Sequence, residues 1–343
     1  AGPRAGRPAR GGGAAMRPFA FVEAASAPEA VSLLLEGRGA ARPIAGGSDL
    51  LGELKEGTAA CDRLVSLAGL PGLAAIEETA CAAAIGAMAT VEALVAHRFG
   101  NPGFRILNEA AQGVATPEIR NVGTVGGNLC QRPRCWYYRN ALFRCLKRGG
   151  TDCPAVEGHN KYLAILGAHR CYIVHPSDLA PPLVALDASV EVLGPAGARW
   201  LPLRDFFVGP ERDLLRENVL ADGEIVLRVM VPAPPAGWRG TYVKARERTA
   251  GDFPMVSVAA GFAQEGGAAR HARIVLGAVA PVPWRAPAAE GVLEGRPVTA
   301  ERAAQAAEAA LAGAQPMTGN AYKLDVARAL IARTILALAA PPK

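Results

Sequence analysis

The sequence predicts an α+β protein: a two-part mixed α/β domain carrying a cysteine-rich insertion, followed by a three-stranded antiparallel sheet with helices. Three observations predict it. Strand and helix patterns alternate from Phe19 onward. Composition then shifts at PAPPAGWRG (Pro232 to Gly240), beyond which strand-like runs precede two helical ones. Five of the seven cysteines, Cys130, Cys135, Cys145, Cys153 and Cys171, fall within one stretch of the first part, while Cys61 and Cys81 stand alone and read as ordinary buried residues.

In order, FAFVEA (Phe19 to Ala24) reads as a strand. PEAVSLLLEG reads as a helix with Ser26 as its cap and Val31, Leu34 and Leu35 at helical spacing, and RPIAG as a second strand. That strand runs into Ala45, Gly46, Gly47, Ser48, Asp49 and Leu50 ahead of a short helix. Two glycines at such a junction let backbone N–H groups point at an anion, and the helix start adds its dipole. The run is not GxGxxG, so nothing supports a nicotinamide Rossmann site.

RLVSL (Arg63 to Leu67) and Ala83 to Gly86 read as strands. Thr90 caps a helix with Val91, Leu94 and Val95 on one face, and Pro102 stands in the first turn of another. Beyond Thr116, the run from Asn121 to Asn128 sets Gly123, Gly126 and Gly127 beside Thr124 and Asn128, a second candidate backbone cradle. Two such loops suggest a pyrophosphate gripped from both sides. Asp178 lies just before a buried helix or strand, which it caps unless it bonds a ligand. ARWLPLRDFFVGPERD is poor in strand signals, and GEIVLRVMVP reads as an edge strand ending at Pro232. TYVKARER, MVSVAAGFAQE and ARIVLGAVA form the three antiparallel strands, and two helices finish the chain.

At 343 residues the chain divides into two or three units. The expected boundaries are a disordered extension at 1–15, a first part at 16–75, a second at 76–235 containing the 130–171 insertion, and a C-terminal α+β unit at 236–343. Half the residues are apolar and a fifth charged, which excludes global disorder. The net charge of +6 comes without a Lys/Arg comb interleaved with aromatics, so no nucleic-acid partner is expected. No run is long and apolar enough for membrane insertion. The first fifteen residues have three arginines but lack the apolar core of an export signal, and a true start at Met16 is the plainer reading.

Soft thiolates gathered this way select zinc, iron–sulfur or, in an oxidising space, disulfides. A zinc ribbon uses tight CxxC pairs, and none occurs; loose spacing favours an insertion wrapped round a bulky iron–sulfur cube. Arg132, Arg134, Arg139, Arg144, Lys147 and Arg148 surround the cysteines without an acid between Asn121 and Thr151. That charge suits an anionic cluster or a docking face, and Trp136, Tyr137 and Tyr138 can shield one side from water. Five cysteines compete for four ligand positions, and spacing does not choose between Cys130 and Cys171.

AGGSDL (Ala45 to Leu50), TPEIRNVGTVGGNL (Thr116 to Leu129), YVKARERTAGDFPMVSVAAGF (Tyr242 to Phe262) and LGAVAPVPWRAPAAE (Leu276 to Glu290) together resemble the flavin-binding subunit of the molybdenum hydroxylases. With QRPRCWYYR (Gln131 to Arg139) and CYIVHPSD (Cys171 to Asp178), the likeness is greatest to the FAD and [4Fe-4S] subunit of bacterial periplasmic-type aldehyde oxidoreductases. The resemblance implies a vanillyl-alcohol-oxidase-like FAD-binding domain and places the cluster ligands at Cys135, Cys145, Cys153 and Cys171. It implies that Ala45 to Leu50, Thr116, Asn121 and Gly123 to Asn128 hold FAD, with Asp178 near the ribityl or ring side. Lys244 would lie near the flavin edge, with Arg246, Arg248 and Asp252 as weaker candidates.

The same resemblance implies an electron-transfer role with no substrate oxidation by this chain alone. The partners would be a molybdenum–pterin large subunit and a [2Fe-2S] small subunit in a heterotrimer, with electrons passing on to an external acceptor. Location would be periplasmic, through a partner's export signal, or cytoplasmic. A related hydroxylase acting on carbon monoxide, a purine or an aromatic CoA thioester, a stand-alone flavin dehydrogenase and a zinc-stapled scaffold are the rivals.

Overall fold

The computed structural model describes residues 16–249 and 251–340, so the extension expected at 1–15 lies outside the described residues. Among the described residues the strands form three sheets, built in chain order. The first is parallel, ordered β1–β3–β2, from β1 (Ala20–Glu23), β2 (Ala41–Ile44) and β3 (Arg63–Ser66). Helix α1 (Ala27–Glu36) makes the first crossover and α2 (Leu50–Lys55) the second. Ser26 accepts the Glu29 N–H and so caps α1, whose Ala30, Val31 and Leu34 pack on Val65 of the sheet.

The second sheet is antiparallel, in the order β4–β5–β8–β6–β7. It begins with β4 (Ile76–Glu78) and β5 (Ala82–Gly86), after which four helices intervene: α3 (Val91–Ala96), α4 (Arg105–Gly113), α5 (Pro117–Val122) and α6 (Val125–Leu129). The cysteine-bearing segment follows. The chain re-enters through α7 (Ala180–Ala185), β6 (Ser189–Gly194), β7 (Gly197–Pro202), α8 (Leu203–Phe206) and β8 (Ile225–Pro232). Two expectations fail here. β8 is the central strand, because Pro232 stands at its last position and its missing N–H interrupts no interior pairing. β7 was hidden because an edge strand with nearly every side chain exposed has no apolar alternation to show.

The third sheet contains β9 (Arg239–Ala245), β10 (Val256–Glu265), β11 (Ala268–Gly277) and the two-residue β12 (Trp284–Arg285), covered by α9 (Pro287–Leu293), α10 (Ala300–Ala310) and α11 (Tyr322–Ala339). It therefore has four strands rather than three, ordered β12–β11–β10–β9. Prolines around Trp284 masked both β12 and α9 in the sequence. β10 is buried on both faces: Val256, Val258, Ala260 and Phe262 meet the helices, while Ala259 and Ala263 join the core of the preceding domain. An α/β domain is thus followed by a sheet-and-helix domain.

From Gln131 to Leu179 the regular structure is one short 3₁₀ turn, Leu146–Arg148. Trp136 does not shield the cysteines: it is 61% exposed, edge-on to His159 and Tyr162. Tyr138 is the buried aromatic of the three. Cys61 is buried as expected, whereas Cys81 is exposed beside the β4–β5 turn.

Candidate functional site

A cavity of about 1000 Å³ opens where the first sheet, the α5–α6 junction and the cysteine segment meet. Ala45, Gly46, Gly47, Ser48, Asp49 and Leu50 line one wall, and Gly123, Thr124, Gly126, Gly127 and Asn128 another. Close approach of the two runs is why glycine stands at Gly46: a Cβ there would fall 1.7 Å from the Val122 carbonyl oxygen. Gly47 has φ +70°, a left-handed conformation that glycine adopts without strain.

The two runs present themselves differently. No side chain caps the start of α2; the Leu51 and Glu53 amides donate to the Gly47 and Asp49 carbonyls, and the helix dipole there has no side-chain acceptor against it. The second run is not an open loop but the start of α6. There Val125 and Gly126 donate to the Ala89 and Ala87 carbonyls, and Gly127 to the Thr124 hydroxyl. Its backbone donors are already used, and it offers glycine surface and the Asn128 side chain, whose Oδ1 accepts from Ser177.

Thr116 and Asn121 are not part of the cavity wall; Thr116 starts α5, and Asn121 donates to the Pro117 carbonyl. Asp178 reaches the wall but caps nothing, since Ser177 Oγ accepts the Ala180 N–H at the start of α7. Its two carboxylate oxygens are taken by the Tyr242 hydroxyl and, at 3.0 Å, by Lys244 Nζ. Burial raises the Asp178 carboxyl above its ordinary value, against the opposing pull of Lys244 and Tyr242, and burial beside Asp178 raises the Tyr242 phenol well above its own. Lys244 also donates to the Asp252 carbonyl; it does not line the cavity itself and meets it through Asp178 and Asp252, which do.

Sequence reading missed a buried polar network on the floor of the cavity. Tyr138 donates to Glu53 at 2.7 Å, Arg132 Nε lies 2.9 Å from the Tyr138 hydroxyl, and Lys147 and Glu217 pair at 2.7 Å with both side chains almost wholly buried. Glu53 sits one turn after Asp49 on α2, and that spacing was the available signal. The basic residues are thus largely spent inside the molecule: Arg134 and Arg139 pair with Asp49, Arg132 with Glu217.

All seven cysteines are free thiols. Burial raises Cys135 to about 11 and Cys171 to about 12; Cys145 and Cys153 raise both further, and Cys145 also raises Cys153, whose first cause is again burial. These four thiols therefore lie within electrostatic reach of one another. Cys130, pushed up to about 12, responds to burial alone. Backbone N–H groups point at three of the four sulfurs: Tyr137 and Tyr138 at Cys135, Ala155, Val156 and Tyr172 at Cys153, and Ile173 at Cys171. Among the described residues no three His, Cys, Asp or Glu side chains close round a single metal ion.

Two family models match the chain: the FAD binding domain in molybdopterin dehydrogenase over residues 17–234, and the CO dehydrogenase flavoprotein C-terminal domain over 241–338. The FAD-binding subunit of an aldehyde oxidoreductase from Escherichia coli (strain K12) is 34% identical, covering 93% of this chain and 98% of that one. The carbon monoxide dehydrogenase medium chain of Hydrogenophaga pseudoflava is 28% identical over 92% and 96% of the two chains. Among solved structures, a carbon monoxide dehydrogenase from Hydrogenophaga pseudoflava superposes with a TM-score of 0.76 at 29% identity, covering 94% of this chain and 97% of that one. Quinoline 2-oxidoreductase from Pseudomonas putida 86 gives 0.74 at 27%, over 94% and 98%.

Proposed function

The chain belongs to the FAD-binding subunits of the molybdenum hydroxylases, and from that premise we propose that it is the electron-transfer flavoprotein of a heterotrimeric aldehyde oxidoreductase. Its partners in this reading are a molybdenum–pterin large subunit and a [2Fe-2S] small subunit. The aldehyde reading leans on the 34% identical relative. The observation that carries the redox reading is the cavity lined by both glycine runs, beside a segment whose Cys135, Cys145, Cys153 and Cys171 thiols lie within electrostatic reach of one another.

The cavity fits a dinucleotide flavin in size and in its glycine cradle. The uncapped start of α2 and Gly46, Gly47 and Ser48 would hold the pyrophosphate; Gly123, Gly126 and Gly127 would let it approach the opposite wall, where Thr124 keeps α6 in place and Asn128 supplies an amide. When bound, FAD supplies a carrier able to take electrons singly and release them in pairs. Asp178 faces the cavity with both oxygens engaged, so its role is to fix charge and orientation at that end, with Lys244 behind it as counter-ion.

Cys135, Cys145, Cys153 and Cys171 would hold a [4Fe-4S] cluster. The backbone N–H groups aimed at three of the sulfurs oppose the burial that holds them as thiols, and would bond the sulfurs once metal has taken their protons, as cluster ligation requires. Cys130, outside that group, is left as a packing residue. The flavin and iron of the native complex test the reading: the complex oxidises an aldehyde and contains FAD and iron, whereas zinc in place of iron, or no flavin, would overturn it. Similarity to carbon monoxide dehydrogenase chains supports a second reading, in which the parent substrate is carbon monoxide. Turnover of the complex with each substrate separates the two.

A further inference from the structure

We propose that the cysteine-bearing segment clamps the first glycine turn, so that filling the four-thiol site and filling the flavin cleft reinforce each other. This coupling rests on the functional reading above, and four contacts carry it. Asp49, which ends the glycine turn, accepts the Arg132 backbone N–H at 2.7 Å and pairs with Arg134 Nη1 at 2.9 Å and with Arg139. One helical turn later Glu53 accepts the Tyr138 hydroxyl.

All four partners come from the run Arg132 to Arg139, and Cys135 lies in its middle. The run is fixed to the cysteine from within: the Arg139 N–H donates to the Cys135 carbonyl at 2.9 Å, and the Tyr137 and Tyr138 amides donate to its sulfur. No helix or strand crosses this run, so its shape depends on what holds Cys135 and on what Asp49 and Glu53 hold. Arg134 extends the contact to Phe253, another residue lining the cavity, lying 5.2 Å above its ring. A metal cluster that immobilises Cys135 therefore orders the arginines that fix Asp49, and with it the turn that lines the cleft. Two sites that share one ordering cost bind cooperatively.

The test measures FAD affinity, by fluorescence quenching, on native protein freed of flavin and then either kept iron-loaded or stripped of iron with a chelator. The iron-loaded form is expected to bind FAD about tenfold more tightly. Because linkage is reciprocal, FAD saturation should raise the chelator concentration needed to remove half the iron by a comparable factor, a readout that requires no substitution. In the doubly substituted Arg134→Gln, Arg139→Gln protein, iron is retained while the difference between loaded and stripped forms falls below about twofold. Equal FAD affinity with and without iron in the unsubstituted protein overturns the coupling alone, as does a full effect persisting in the doubly substituted protein. Absence of iron or of FAD from the native protein overturns the functional reading itself.

Discussion

From Val256 to Phe262 the chain buries side chains on both faces of a regular strand, whereas from Gln131 to Leu179 a longer stretch forms only one 3₁₀ turn. The strand is paired on both edges through its backbone and held by apolar contacts above and below. The cysteine segment is held by side chains reaching backbone carbonyls and carboxylates: Arg148 to Asn140 and Phe143, Lys147 to Leu214, Asn160 to Ala155, Lys323 to Tyr162. One region is specified by pattern and the other by particular atoms. The first can fold on hydrophobic burial, while the second gathers four thiols, and at Cys135, Cys153 and Cys171 burial disfavours the charged form until a metal takes them.

The largest expected effect separates the cysteines. Cys135→Ser should abolish iron incorporation and Cys130→Ser should leave it near the unsubstituted level, as read by iron per chain. Iron lost from both, or from Cys130→Ser alone, would assign the ligands differently. Next comes the strand: Phe262→Ala should destabilise the protein by about 3–5 kcal/mol in urea unfolding without lowering iron per folded chain. If it depleted iron as strongly as Cys135→Ser, the two regions would not be built independently.

The third expectation concerns the end of the cysteine segment. Burial depresses His175, which stacks edge-on against Phe207, to about 4, so it stays neutral in the folded chain while the unfolded chain binds a proton near its ordinary value. The unfolded state therefore holds more protons as pH falls, and stability drops between about 6.5 and 4 by about 3 kcal/mol. His175→Gln should remove that component of the acid slope, leaving the carboxylate contribution in place. Equal slopes for both proteins would show that His175 is not held neutral.

Much of the fold was legible because its signals are local or periodic. Ser26, Thr90 and the two glycine runs marked real helix starts, and β9 to β11 followed from alternation and the EGGAAR turn. β7 and β12 escaped because an exposed edge and a proline-flanked bridge carry no buried period. At the site, the residues drawn to the cavity by their own backbone conformation, Gly46 and Gly47, could be read directly. The Asp49–Arg134–Arg139 and Glu53–Tyr138 contacts join residues some eighty positions apart, and no local pattern encodes such partners. The amides of Val125 and Gly126 looked free in sequence and are engaged only because α6 docks on the end of β5.

The most direct measurement is the metal and flavin content of the native complex, with low-temperature EPR after reduction. The account predicts one FAD and about four irons per copy of this chain beyond those of its partners, with a signal that Cys171→Ser removes. Bound FAD with no iron attributable to this chain, or zinc in its place, would contradict it.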